Sequence, residues 1–249
     1  MEGIRIFAGT ADYADSMAAV KKVVFDDQRI TMSELCTALT DNFKNHAKVY
    51  KWLVETPKYG NGDSYVDNFV KDIIDFTSQE LQNQNTLHAN MGLGTLPVSS
   101  HVPQGLSISA LPSGTKSQAT LADGISPGQG NDVLGPTAII KSVDTINQEA
   151  STVGVLHNTK ITPYLLEGNQ GISNFIAMLR THDQMGGAQI QFNCVDRKTL
   201  IAAQETPSEY RSLMVRVAGY SAFFVELCEE IQDEIISRTP QRSLTRYQK

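Results

Sequence analysis

The residue types in this chain that most often do chemistry are its three cysteines and five histidines, together with several glycine-containing turns. The histidines share no metal-ligand spacing, and Cys36, Cys194 and Cys228 form neither a zinc motif nor an even disulfide set. Cys194 falls in a predicted strand, where we expect a small buried thiol. Three glycine-containing segments each lack a residue that a dinucleotide-binding, nucleophile-elbow or phosphate-binding motif needs: 92–97, 105–109 and 114–116. The sequence therefore predicts no bound metal.

A different kind of motif lies at residues 216–222, which read Arg-Val-Ala-Gly-Tyr-Ser-Ala. This segment resembles the signature of the glycyl radical enzymes, the family of pyruvate formate-lyase, choline trimethylamine-lyase, B12-independent diol dehydratases and arylacetate decarboxylases. The stretch 91–105 is most similar to the dehydratase, choline-lyase and decarboxylase branch. Other family-like segments are spread over nearly the whole chain: 13–16, 110–114, 121–127, 135–138, 191–193, 223–228 and 232–239.

The resemblance implies that Gly219 carries an organic radical as a modification of the chain itself. In the family, a radical S-adenosylmethionine activating enzyme removes a hydrogen from this glycine, and the glycyl radical then oxidises a cysteine on a second loop. Arg238 is expected to place its guanidinium near the loop; the alternative is a cation that the helix dipole favours at a helix C-terminus. Recognition of the activator or positioning of the loop is implied for the neighbours of the glycine: Arg216, Val217, Tyr220, Ser221 and Ala222.

The chemistry explains why the residue that carries the radical must be glycine. Loss of a Cα hydrogen leaves a carbon radical between an amide nitrogen that donates electron density and a carbonyl that withdraws it. Delocalisation requires a planar Cα, and any side chain would crowd that plane. Glycine alone lacks Cβ, and it also visits φ values that are closed to other residues.

The cysteine that the family uses lies in a Gly-Cys-x-Glu type loop, which does not occur in these 249 residues. The resemblance therefore indicates the C-terminal part of a pyruvate formate-lyase-like barrel domain over 1–115 and a glycine radical domain over 116–249. Three hypotheses stay open. The chain is a subunit or fragment of a radical lyase or dehydratase, completed by a cysteine-bearing N-terminal part. Alternatively it is a spare-part protein that repairs an oxygen-cleaved full-length homologue, or an inactive truncated product. Alone, it is expected to turn over no substrate.

The elements that must position the motif begin with helices in the first eighty residues, where apolar residues recur at helical spacing. Three are predicted: one over 11–25 capped by Thr10, one opened by the capping-box pair Thr31 and Glu34, and one capped by Asp63 or Ser64. In the first of these helices, Tyr13 and Met17 are expected on the buried stripe.

From about 86 to 135 the chain is rich in glycine and proline but too apolar for a solvated linker. We expect ordered loops there, with Leu106, Ile108, Leu111, Leu121 and Ile125 lying against a missing part of the barrel. The later predicted elements are a short helix or strand start at 137–143, a helix over 173–184, a strand over 189–195, a helix over 196–204, a short helix over 207–213, an extended run at 215–217, a long helix over 222–237 and a frayed end at 239–249.

Elements and resemblance together imply an α/β fold, the C-terminal part of a ten-stranded barrel wrapped by helices, with a central glycine loop. The formal net charge of −6 argues against nucleic-acid or anionic-lipid partners, and no apolar run is long enough to span a membrane. We expect a cytoplasmic protein. Its expected partners are the activating enzyme and the cysteine-bearing part or full-length homologue, and exposed apolar surface should drive it to form oligomers.

Overall fold

The structure, a computed structural model, describes residues 3–84 and 91–238, and these form a mixed α/β arrangement. The helices within these ranges are α1 Thr10–Val20, α2 Met32–Thr40, α3 Ala47–Val54, α4 Ser64–Asn83, α5 His101–Leu106, α6 Pro136–Val143, α7 Gly168–Gln184, α8 Arg197–Glu205 and α9 Glu229–Ser237. The strands are β1 Gly3–Ile6, β2 Met91–Thr95, β3 Gly154–Val155, β4 Asn158–Lys160, β5 Gln191–Asn193, β6 Met214–Arg216 and β7 Ser221–Phe223. The predicted frayed end at 239–249 lies outside the described residues.

The described strands form three small sheets. β1, β2 and β3 are parallel, with Ile4 opposite Gly92 and Gly94 opposite Gly154. β4 and β5 form a second parallel pair, and β6 and β7 form an antiparallel hairpin. The mixed α/β content agrees with the predicted fold class.

The first helix packs on α4 through alanines rather than through its large apolar residues. Ala11, Ala14 and Ala18 have no exposed surface and belong to the core that α4 shares. The prediction that Tyr13 and Met17 face the core is wrong, because their side chains are 38% and 37% exposed. Small residues allow the two helix backbones to approach closely, and the larger residues are left on the outer face. The helix continues as a π-helical turn over Lys21–Asp26, so its predicted extent is confirmed.

Helix starts follow the sequence signals in two cases out of three. Thr31 Oγ1 accepts from the backbone N–H of Glu34, whose carboxylate accepts from Thr31 N, so the predicted capping box is present. Asp63 caps α4 through its side chain. Thr10 does not cap α1, because its hydroxyl donates instead to the carbonyl of Gly124 at 2.6 Å.

Over 91–135, the described part of the glycine-rich and proline-rich middle consists mostly of turns and loops, as predicted, but part of its apolar content is buried within this chain. Ile125 is fully buried and Leu121 is 9% exposed. The hydroxyl of Tyr59 donates to the Ile125 carbonyl at 3.1 Å, which ties the middle segment to the helical first third. The expectation that these two residues face a missing part is therefore wrong. Leu106 is 48% exposed, so the expectation stays open for that residue.

The later elements differ from prediction chiefly after the glycine motif. The helices near 137–143, 173–184 and 196–204 are confirmed as α6, α7 and α8. The predicted long helix over 222–237 is wrong in its first half. Residues 221–223 pair with β6, and Phe224 is fully buried while its N–H donates to the Leu213 carbonyl at 2.8 Å. Strand pairing and this buried ring hold the segment out of a helix until α9 begins.

Candidate functional site

Gly219 lies at the tip of the β6–β7 hairpin. Arg216 pairs with Ser221 at the end of the ladder, and the N–H of Val217 donates to the Tyr220 carbonyl at 2.9 Å. Gly219 is exposed and has φ +84°, and a Cβ built on it would meet nothing within 4 Å. The turn therefore favours glycine because of its left-handed backbone and not because of crowding. An exposed tip of this kind can be reached from outside.

The side chain of Arg216 lies along the hairpin and ends beside Gly219. Its Nε donates to Gln191 Oε1 at 2.8 Å, and its Nη1 donates to Ser221 Oγ at 3.1 Å. Its Nη2 lies 3.4 Å from the carbonyl oxygen of Gly219. The guanidinium thus connects strand β5, strand β7 and the tip glycine.

The backbone of Arg216 is held by a side chain that mimics a neighbouring strand. Asn193 Oδ1 accepts from Arg216 N at 2.8 Å, and Asn193 Nδ2 donates to Arg216 O at 2.5 Å. Gln191 and Asn193 are both 7% exposed, so the polar face of β5 is the buried one. The predicted buried thiol at Cys194 is wrong, because that residue follows the strand on its exposed side.

Arg238, as expected from the sequence, contacts the loop. Its Nη1 and Nη2 donate to the carbonyls of Arg216 and Val217 at 3.1 and 2.8 Å. Glu234, one turn earlier on α9, holds the same guanidinium at 3.0 and 2.8 Å. Burial acts to lower the pKa of Arg238, but Glu234 and Asp123 outweigh it and raise that pKa. The buried ion pair therefore stays charged and fixes the strand that leads into the tip.

A second amide, from Asn158 on β4, supports the same carbonyl. Asn158 Nδ2 donates to Val217 O at 3.1 Å and to the carboxylate of Asp123, while its Oδ1 accepts from Gln191. Nearby, Lys160 is 4% exposed, and its Nζ has no hydrogen-bond partner within the described part of the chain. Burial lowers the pKa of Lys160 to about 8.

The other side of the hairpin rests on an apolar cluster. Val217 and Ala218, directly before the tip, are almost fully buried, and they pack in one cluster with Phe224, Leu200 and Ile235. The hairpin is therefore fixed by apolar packing on one side and by side-chain hydrogen bonds on the other, while its tip is exposed. Such support holds the glycine without covering it.

The structure brings together all of the residues that the sequence singled out around Gly219. Tyr220 and Ala222 are partly buried, Ser221 is exposed, and Arg216 and Arg238 contact the loop from two directions. Sequence reasoning assigned no role to four further residues of the site: Asn158, Gln191, Asn193 and Glu234. The available signal was the predicted strand over 189–195, in which Gln189, Gln191 and Asn193 alternate with apolar residues, since two of these polar residues point inward here.

The three cysteines, Cys36, Cys194 and Cys228, are free and exposed. Over residues 3–84 and 91–238, no group of three or more His, Cys, Asp or Glu side chains is placed to hold a metal ion. Among the helices of those same residues, none has both the length and the apolar character needed to cross a membrane.

Comparison with known proteins gives two family matches. Residues 3–105 match the pyruvate formate lyase-like family, and residues 121–225, which include the hairpin, match the glycine radical family. Isethionate sulfite-lyase of Nitratidesulfovibrio vulgaris is 38% identical over 96% of this chain and 30% of the relative. Trans-4-hydroxy-L-proline dehydratase of Clostridioides difficile is 36% identical over 94% of this chain and 30% of the relative.

Solved structures give the same result. The glycerol-bound form of the B12-independent glycerol dehydratase from Clostridium butyricum superposes with a TM-score of 0.92 and 39% identity, over 96% of this chain and 31% of that one. The chain thus spans about 30% of the length of the curated relatives it matches. With both domain matches and these relatives, the chain belongs to the glycyl radical enzyme family.

Proposed function

We propose that this chain is the radical-bearing portion of a glycyl radical lyase or dehydratase, and that Gly219 stores the radical. The observation that carries the proposal is the position of Gly219, exposed at φ +84° on a hairpin inside the segment that matches the glycine radical family. The cysteine that would receive the radical comes from residues outside these 249, in the same or another polypeptide.

The surroundings of Gly219 suit the transfer of a hydrogen atom. The Cα of an exposed glycine with no neighbour near its Cβ position is open to an activator. The buried supports of Arg216 and Val217 keep the carbonyls before the tip in fixed directions. A fixed backbone favours transfer because the reacting atoms must approach in a defined geometry. We assign the hydrogen-removing step to a radical S-adenosylmethionine enzyme, by analogy with the family.

The finer features of assembly are also part of this proposal. We infer that residues 1–115 form the C-terminal part of a ten-stranded barrel and that 116–249 form the glycine radical domain inserted at its centre. The small sheets and the exposed hairpin tip support this, because they would gain neighbours in a completed barrel. We place the complete assembly in the cytoplasm, and we expect it to cleave a C–C, C–N or C–O bond.

A spare-part role is the alternative, and reconstitution separates the two. The activated chain alone is expected to turn over no lyase substrate, even though it has three exposed thiols. Turnover that appears with a cysteine-bearing N-terminal part supports a split enzyme. Turnover that appears only with an air-cleaved full-length homologue supports repair. Steady turnover by the chain alone, surviving Cys36→Ala, Cys194→Ala and Cys228→Ala together, would contradict the proposal.

The radical position is tested by anaerobic activation followed by exposure to air. An α-carbon radical adds dioxygen, and the resulting peroxyl species breaks the backbone at that residue. The expected products are a long piece ending near Ala218 and a short piece starting near Tyr220, identified by mass spectrometry. Before air is admitted, glycine labelled with ¹³C at Cα should split the electron paramagnetic resonance signal.

Gly186 provides a matched control for this experiment. It has φ +88°, close to the +84° of Gly219, and an added Cβ would meet nothing within 4 Å at either position. Gly219→Ala should abolish both signal and cut, whereas Gly186→Ala should leave both intact. A signal that persists in Gly219→Ala, or a cut that maps elsewhere, would overturn the assignment.

A further inference from the structure

The guanidinium of Arg216 is aimed at the carbonyl of Gly219 itself. We propose that Arg216 is a catalytic residue that stabilises the radical by polarising this carbonyl, and that Gln191 is the positioning residue that holds the guanidinium in place. The inference rests on Gly219 as the site of the radical, and it gives Arg216 a role apart from recognition of an activator.

Arg216 is fixed far more firmly than a surface arginine usually is. The side chain of Asn193 accepts from the backbone N–H of Arg216 at 2.8 Å and donates to the Arg216 carbonyl at 2.5 Å. Arg238 donates to the same carbonyl at 3.1 Å. Gln191 accepts from Nε at 2.8 Å. With backbone and Nε fixed, the planar guanidinium can direct its remaining N–H groups only along the hairpin.

The two ends of the guanidinium fork reach different residues of the hairpin. Nη1 donates to Ser221 Oγ at 3.1 Å, and Nη2 lies 3.4 Å from the oxygen of Gly219. No carboxylate contacts Arg216 among the described residues, so its positive charge is not neutralised by a direct ion pair. Its charge is therefore available to the Gly219 carbonyl.

The strand that positions Arg216 carries an unusual buried face. Gln191 and Asn193 are each 7% exposed, and both form hydrogen bonds with Arg216. Burying two amides is costly unless they are hydrogen-bonded, and here Gln191 bonds the guanidinium of Arg216 while Asn193 bonds the main chain of the same residue. The amide of Gln191 also donates to Asn158, which fixes its oxygen toward Arg216.

Polarisation of this carbonyl acts on the radical through its delocalisation. When an activator's carbon-centred radical takes one hydrogen atom from Gly219, that C–H bond breaks homolytically and a new C–H bond forms on the activator's carbon. The unpaired electron stays on Gly219 Cα, shared between the amide nitrogen and the carbonyl. A cation at the carbonyl oxygen makes the carbonyl a stronger electron acceptor, which lowers the energy of the shared state.

The test compares the properties of radicals after they have formed, so that a variant which the activator converts less efficiently is still judged on the radical that it carries. The chain, activated anaerobically and carrying glycine labelled with ¹³C at its carbonyl, is examined by electron paramagnetic resonance, and the decay of the signal is followed in 2-mercaptoethanol. Arg216→Gln and Gln191→Met are the variants. Arg211→Gln, which removes an exposed cation just before β6, is the control.

Arg216→Gln and Gln191→Met should both change the hyperfine coupling of the Gly219 carbonyl carbon and shorten the lifetime of the radical by about fivefold, the effect expected of one hydrogen bond of ordinary strength. Arg216→Lys should restore part of the lifetime, and Arg211→Gln should match the wild type. Because Arg216 is only half-buried, its variants decide the result even if Gln191→Met fails to fold.

Two failures are distinguishable. If the wild type forms no radical at Gly219, the proposed function fails before the variants are compared. If the wild type forms the radical and both coupling and lifetime are unchanged in Arg216→Gln, the inference about Arg216 is overturned while the radical site stands.

Discussion

At the residue scale, the backbone of Gly219 decides what substitution there costs. Gly219 and Gly186 both have left-handed φ values and open surroundings. Alanine at either position should therefore lower the free energy of unfolding by about 1 kcal/mol, the approximate cost of an L-residue in this region. Urea unfolding of the two variants should give equal losses. A much larger loss in Gly219→Ala than in Gly186→Ala would mean that the added methyl meets an atom at the tip.

His157 makes stability depend on pH. Its side chain is fully buried, and burial, with a smaller contribution from His182, lowers the pKa of His157 to about 3. The unfolded chain binds a proton near the usual pKa of 6.5, whereas the folded chain does not, so stability is lost as pH falls below about 6.5. Between pH 7 and pH 5 this loss should be about 2 kcal/mol.

The measurement compares His157→Gln with the wild type by urea unfolding at pH 7 and at pH 5. The variant should lose about 2 kcal/mol less over that interval, whatever its stability at pH 7. Parallel losses in both proteins would show that His157 is protonated in the folded state.

The sequence identified the tip of the site more completely than its supports. Gly219 and Arg216 lie in one contiguous motif, and Arg238 lies in a second family-like run. The amides of Asn158 and Asn193 reach the hairpin from strands far along the chain. Such contacts depend on how three elements meet, and no local spacing encodes them.

At the element scale, α9 and the hairpin are joined by the Glu234–Arg238 pair. Arg238→Met should leave the Glu234 carboxylate buried without its cation and cost about 3–5 kcal/mol of stability. Amide hydrogen exchange in β6 and the tip should accelerate, because the carbonyls of Arg216 and Val217 lose their donor. Unchanged exchange there, measured by mass spectrometry, would show that Arg238 does not hold the hairpin.

The double variant Arg238→Met with Glu234→Leu separates two effects. Removing both charges should recover much of the lost stability, because the unpaired buried carboxylate is gone. Exchange of the hairpin amides should stay fast, since the donor to the two carbonyls is still missing. If both the stability and the slow exchange of the hairpin amides are recovered, Arg238 acts only as the partner of Glu234.

Elements whose signals are local were predicted well, and elements that depend on partners were not. The capping box at Thr31 and the cap that Asp63 gives α4 act within a few residues. The sequence predicts a helix from 222 onward, but residues 221–223 pair with β6 instead. The strand β5 was predicted, but with the wrong face buried. Its amide side chains point inward in place of Cys194, because Gln191 and Asn193 both form hydrogen bonds with Arg216.

At the scale of the whole molecule, exposed apolar side chains lie on helix surfaces. Ile172 and Ile176, one turn apart on α7, are 51% and 42% exposed. We expect the isolated chain to self-associate, as seen by sedimentation, and Ile172→Lys with Ile176→Lys to reduce that association. Ser173→Lys with Ala177→Lys, on the exposed side of the same helix, adds equal charge as a control. A wild-type chain that stays monomeric at high concentration would contradict this expectation.

The hydrogen bonds of Arg238 join residues on opposite sides of Gly219, the position at which air would break an activated chain. After a break at Gly219, β7 would still pair with β6, and Arg238 would still hold the carbonyls of Arg216 and Val217. A nicked molecule should therefore migrate as two polypeptides in denaturing gels and keep its intact mass in native spectrometry. The short C-terminal piece would then be held only by non-covalent contacts. An unbroken copy of the same segment could replace it whenever the β6–β7 pairing and the hydrogen bonds of Arg238 open.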